Sequence, residues 1–215
     1  MKIIGILFAL FSTFFAKSQI SYDFANTLPP EGEKNTTVLK TFFGTYSSDQ
    51  TDIDYQFTKE GVFAISFIYN TISRETIRES SIYSVKDGYL FGVTGTDSLP
   101  CELQGEFYHF AIMFKEQIVG GTATNVMSKL NQSTYILNFE DNGHFTPSYL
   151  TFKGNELIIQ HFTYDAETTI FEEIADKAET TIGEMHYITL DPTKEEWIGM
   201  QQNDISGTKI LFEKR

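Results

Sequence analysis

The feature that most restricts the fold is a two-residue alternation of apolar and polar side chains, broken at short intervals by glycine-bearing turns. In "IDYQFT", residues 53–58, Ile53, Tyr55 and Phe57 fall on one side and Asp54, Gln56 and Thr58 on the other. A helix would scatter these groups around its axis, whereas a pleated strand alternates them, so the segment reads as a strand. "KEG" at 59–61 turns the chain, and the return strand sets Phe63, Ile65, Phe67 and Tyr69 in one row. "SIYSV", "KDG" and "YLFGV" over 81–93 repeat the design, and Asp87-Gly88 suits the positive φ angles of a two-residue hairpin turn. Further strands are expected at 107–114, 133–139, 144–152 and 156–164, then near 184–190, 197–201 and 208–212. Pro147 donates no ladder hydrogen bond and is expected at a bulge or an edge.

Two stretches interrupt the alternation. Residues 116–132 read as a loop with one helical turn through Val126, Met127 and Leu130. In "AETTIFEEIADKAET", residues 166–180, Ile170, Phe171, Ile174 and Ala178 keep helical spacing, although "TTIF" would also suit a strand; the segment is read as helix. The total is an all-β, mainly antiparallel chain of about nine or ten strands with one short helix, folded as a barrel or, alternatively, a β-sandwich. No Pro- or Ser-rich linker divides residues 19–215, which read as a single domain. "FTKEGVF" at 57–63 and "FEDNGHF" at 139–145 share a Phe-x3-Gly-x-Phe pattern that a duplicated hairpin would produce.

Residues 1–18, "MKIIGILFALFSTFFAKS", place Lys2 before an apolar stretch and end with Ala16 and Ser18 one residue apart. That layout is expected to be a secretory signal cleaved before Gln19, leaving a soluble secreted or periplasmic protein without stable membrane insertion. Its removal takes Lys2 and Lys17, so the formal charge of −13 becomes −15 and 14 basic residues face 29 acidic ones. Such a balance repels phosphate backbones, and nucleic acid is not expected as a partner. The lone Cys101 forms no internal disulfide and reads as a small buried apolar residue.

"NTTVLKTFFGTYSS", residues 35–48, resembles the start of a lipocalin-like (calycin-type) β-barrel, in which an apolar turn leads into a strand carrying Gly, any residue and an aromatic. Gly44 and Tyr46 match, with Tyr in place of the usual Trp. The export signal is similar to those of secreted proteins of the Bacteroidetes. The resemblance implies an up-and-down barrel in which the glycine lets the chain bend and the aromatic closes one end. Its implication for these two residues is structural and not catalytic.

No Gly-x-Ser-x-Gly elbow, His-Glu-x-x-His, phosphate loop or paired-cysteine metal site occurs, and no catalytic residue, metal or cofactor is assigned. Asp52 and Asp54 share a strand face that reads as solvated, and His109, His144, His161 and His186 read as dispersed. With 28 aromatic residues left after the four phenylalanines of the signal, the row Tyr55, Phe57, Phe63, Phe67 and Tyr69 either fills a core or lines a cavity. Arg74 and Arg78 in "SRETIRES" would point the same way from a strand and receive a ligand carboxylate, or else neutralise Glu75 and Glu79 on a solvated rim. The expectation is a binder of a small apolar or amphipathic ligand in a barrel cavity; the alternative is a surface interaction module with a filled core, and a carboxylate hydrolase ranks behind both.

Overall fold

The computed structural model describes residues 19–34, 37–94, 97–162, 171–183, 185–202 and 206–215; the signal expected over 1–18 lies outside them. In chain order the strands are β1 (Gln19–Phe24), β2 (Gly44–Ser47), β3 (Ile53–Thr58), β4 (Gly61–Ser73), β5 (Ser84–Lys86), β6 (Tyr89–Thr94), β7 (Asp97–Gln104) and β8 (Phe107–Val119). They continue as β9 (Val126–Lys129), β10 (Thr134–Asp141), β11 (His144–Lys153), β12 (Glu156–Phe162), β13 (Lys177–Ile182), β14 (Met185–Leu190) and β15 (Ser206–Lys214). Helix α1 is Arg74–Glu79 and α2 is Lys194–Gln202. The all-β, mainly antiparallel class is as expected, with β1 and β14 the parallel exception. Fifteen strands and two α-helices among the described residues replace the nine or ten strands and one helix read from the sequence.

The described residues divide into two compact units, one drawn from those within 1–36, 124–153 and 158–210, the other from those within 37–123, 154–157 and 211–215. In the first, the strand order is β13-β14-β1-β11, with β10 on β11 and β9 on β10. Its core gathers Phe24, Leu28, Ile136, Phe162, Phe171, Leu190, Trp197 and Met200. Trp197 stacks on Phe162 at 6.1 Å between centroids, and Phe162 on Tyr149 at 5.1 Å. Each buried ring of this kind stabilises by about 3–5 kcal/mol relative to alanine.

Trp197 reaches that stack from α2, where the sequence was expected to form a strand. A capping box opens the helix: Thr193 Oγ1 accepts from Glu196 N at 3.3 Å while Glu196 Oε2 accepts from Thr193 N at 2.7 Å. Residues 177–180, the end of the segment expected to be helical, belong to β13 instead; Phe171 and Ile174 of the helical spacing do reach the core, but every residue of β13 is exposed and its ladder to β14 satisfies the backbone. Residues 163–170 lie outside the described residues. The helical turn expected at 126–130 is strand β9, which pairs Met127 with Leu137. Pro147 sits at no bulge in its ladder with β10, where the register runs unbroken through Asn138 and Pro147. The recorded pairing of β11 with β1 is at Phe145, two residues before the proline.

In the second unit the order is β2-β3-β4-β8-β7-β6-β5, and the end of β15 pairs β2 through Glu213 with Ser47 and Lys214 with Tyr46. The turn ahead of β2 is a 3-10 turn, Lys40–Phe42, and Tyr46 Oη donates to Phe42 O at 3.0 Å. Tyr46 is fully buried, meets Phe57 edge-on at 5.6 Å, and carries Lys214 Nζ 5.8 Å above its ring. Asp87 and Gly88 both have positive φ, 53° and 79°, as expected of this hairpin. The "FTKEGVF" and "FEDNGHF" hairpins differ: Gly61 pairs with Thr58 as the first residue of a strand, whereas Gly143 is a turn residue beside Asn142. The shared pattern therefore sits on two registers and not on a repeated hairpin. In neither unit do the described strands close on themselves.

Candidate binding surface

The register of β3 and β4 decides where the aromatic row lies. Residues directly opposite in an antiparallel ladder share a face, and here Tyr55 opposes Ala64 while Phe57 opposes Val62. Phe63, Phe67 and Tyr69 alternate with Val62 and Ala64 along β4, so they occupy the other face. The five rings do not form one lining. Phe57 is buried against Tyr46, Tyr55 is half-buried and meets Phe212 edge-on at 5.4 Å, and Phe63 lies under Lys115 Nζ at 4.5 Å. Tyr69, by contrast, is 71% exposed.

Exposure of large apolar groups is concentrated around Tyr69. Strand β4 pairs β8 from Val62 to Ser73, and β8 carries the run "FYHFAIMF" at 107–114, flanked by Glu106 and Lys115. Tyr69 and Met113 share one face, whereas Ile68 and Phe114 share the other. Met113 is 58% exposed, Ile68 51% and Phe114 50%, so both faces of this ribbon present apolar surface. Its edges are also open. The recorded pairs of β3 on β4 end at Ser66, and those of β7 on β8 end at Phe110. Beyond those points no described strand takes up the outer backbone groups of either strand. Tyr69, Thr71 and His109 line an open groove of about 510 Å³ on the ribbon, with Asn70, Phe110 and Ala111.

Arg74 and Arg78 lie in α1, not in a strand. Ser73 caps that helix by accepting from Thr76 N at 3.0 Å, and Arg78 stands 3.8 Å from both Glu75 and Glu79. All three side chains are exposed, an arrangement worth about 0–1 kcal/mol. Asp54 departs from its expected solvated face: it is buried, with Arg215 Nη1 3.6 Å from its carboxylate. The four histidines have separate surroundings. His161 takes Ser148 Oγ at 2.8 Å and burial lowers its pKa, His186 meets Thr181 and Glu179, His144 meets Asp23, and His109 lies in the groove. Cys101 is half-buried, and desolvation raises its thiol pKa.

Sequence reasoning missed Ile68, Met113 and Phe114, although a signal was present. A strand apolar at both even and odd positions normally lies covered on both faces, and "FYHFAIMF" has that composition while its surroundings leave it uncovered. Fold and surface together define an all-β, mainly antiparallel protein bearing an exposed two-sided apolar ribbon. No family model matches the chain, and neither a curated protein nor a solved structure does. No described helix is long and apolar enough to cross a membrane.

Proposed function

We propose that the protein is exported and works as an interaction module, engaging an apolar partner surface through the β4/β8 ribbon. The observation that carries this reading is the exposure of Ile68, Tyr69, Met113 and Phe114 on two faces of strands whose outer edges are unpaired among the described residues. Contiguous apolar surface rimmed by charge is the usual mark of an interaction site, and a free edge accepts a partner strand by main-chain hydrogen bonds. The stacked rings of Tyr149, Phe162 and Trp197 in the first unit's core support a module built on packed side chains.

A second reading, a lipocalin-like barrel protein that takes a small apolar or amphipathic ligand, draws support from three observations. Gly44 and Tyr46 follow a turn as that resemblance implies, Tyr46 is fully buried, and Tyr69 lines the open groove. Native mass spectrometry of the protein purified from its own host tests both. A retained protein partner, released by Met113→Lys, supports the interaction module; a retained lipid, released by Tyr69→Ala, supports the ligand binder. Bare protein under conditions that preserve weak complexes would count against both.

A further inference from the structure

The first unit carries a second concave site, on the side of its sheet that faces away from the core. Phe24 and Leu190 are core residues, and Tyr22 and Ile188 pack against them. Alternation along β1 and β14 therefore turns Asp23, Tyr187 and Thr189 to the opposite face. Pairing of Thr180 with Tyr187 places Thr180 there too, and the β10–β11 turn contributes Asp141 and His144. These six residues line a half-open pocket of about 340 Å³, together with Asn142 and Ile182.

The hydrogen bonds inside the pocket restrict what it can do. His144 Nδ1 lies 3.2 Å from Asp23 Oδ1 and 3.3 Å from Thr189 Oγ1. An ionised carboxylate only accepts, so the hydrogen of this contact sits on Nδ1, and in a neutral imidazole Nε2 then keeps a lone pair. No described residue bonds Nε2, and Asp141 Oδ1 accepts from Asn142 Nδ2 at 2.8 Å. A nucleophile activated by this imidazole would have to bond the nitrogen that Asp23 does not hold, and Thr189 shares the same one. Among the described residues no group of three metal-ligating side chains forms. No Lys or Arg lines the pocket while two carboxylates do, which disfavours an anion.

The chemistry that fits is a neutral, hydroxyl-rich ring. Carboxylate oxygens accept from hydroxyls, the free imidazole nitrogen and the threonine hydroxyls donate or accept, and the Tyr187 ring with Ile182 offers apolar surface to the C–H face of a sugar. The volume lies at the small end of the range for small-molecule sites, roughly 300–1,000 Å³, which suits one saccharide unit. We propose that the pocket formed by Asp23, Asp141, His144, Thr180, Tyr187 and Thr189 binds a neutral saccharide residue. This goes beyond the ribbon, which lies in the other unit.

Titration of the ¹⁵N-labelled protein with methyl glycosides of glucose, galactose, mannose and N-acetylglucosamine, each to about 50 mM, tests it, since so small a ligand is expected to bind in the millimolar range. At least one glycoside should shift amides of β1, β11 and β14 saturably. Tyr187→Ala and Asp141→Asn should each weaken that binding at least tenfold, while Tyr69→Ala leaves it unchanged; retained spectral dispersion shows that the variants fold. Three outcomes overturn the proposal: no saturable shift with any glycoside, binding indifferent to both pocket variants, or stronger shifts with glucuronate or spermidine.

Discussion

Asn138 is fully buried, and its side chain ties the loop at Leu28 to its own sheet. Its Oδ1 accepts from Leu28 N at 2.8 Å, and Nδ2 donates to Leu28 O at 2.9 Å and Val126 O at 3.2 Å. An amide is the one side chain that offers both an acceptor and two donors from a single planar group, so it can satisfy both backbone groups of Leu28 at once. Leu28 is itself a core residue, and losing its anchor would expose apolar surface as well as orphan polar atoms. Asn138→Leu should cost about 3 kcal/mol, chiefly from leaving buried backbone groups unpaired. Urea unfolding monitored by Trp197 fluorescence checks this. Asn138→Asp should be no better at neutral pH, because it sets an ionised carboxylate against two carbonyl oxygens. A variant of unchanged midpoint would show that the loop is held by its apolar contacts alone.

Gly61 and Glu196 show how single residues set whole elements. A Cβ on Gly61 would stand 1.9 Å from Val119 O, and the residue's φ of +140° is one that side chains rarely adopt. Backbone cannot yield as a flexible side chain does, so Gly61→Ala should destabilise by more than about 3 kcal/mol or part β4 from the end of β8, read as loss of amide protection there. Glu196 acts at the start of α2. The Ala175 N–H, followed by Thr193, stabilises its charged form and lowers its pKa. A lowered folded-state pKa contributes stability above the unfolded value and loses it as pH falls through the folded one. The difference in Tm between wild type and Glu196→Gln should therefore be largest at neutral pH and shrink as the pH falls below the ordinary glutamate value of about 4.3.

The same elements show what the sequence makes legible. Alternation located β12, where buried and less buried positions take turns, whereas β10 is buried at Tyr135, Ile136, Leu137 and Asn138 in succession and was marked by its apolar run between turns. Alternation did not fix the faces of β3 and β4 relative to each other. A turn of three residues, 59–61, would have opposed Phe57 to Phe63 and made one aromatic row. The actual two-residue turn opposes Phe57 to Val62 and sends the rows apart. Helix α2 was hidden because Trp197, Ile198 and Met200 form only a short apolar group, yet Thr193-x-x-Glu196 is a local start signal that could have revealed it. The sugar-sized pocket could not be read, since Asp23, His144 and Thr189 lie on three strands far apart in sequence and meet only through the parallel β1/β14 ladder and the antiparallel pairing of β1 with β11.

At the scale of the whole molecule, charge and the apolar ribbon oppose each other. The formal charge of −13 keeps copies apart at neutral pH, while Ile68, Tyr69, Met113 and Phe114 offer each copy an apolar contact and open strand edges. Each unit is assembled from separated stretches of chain, so no single linker in the sequence marks the division. As acid neutralises the carboxylates, the repulsion fades but the apolar surface does not, and self-association should set in near pH 4–5, roughly where aspartate and glutamate titrate. Light scattering across that range should show growth of the apparent mass for the wild type. Replacing Ile68 and Met113 with serine, one on each face of the ribbon, removes apolar area from exposed positions where folding stability changes by only about 0.5 kcal/mol. That double variant should remain dispersed to lower pH than the wild type. If both aggregate at the same pH, association is governed by net charge or by unfolding, and the ribbon is not the sticky surface of the native protein.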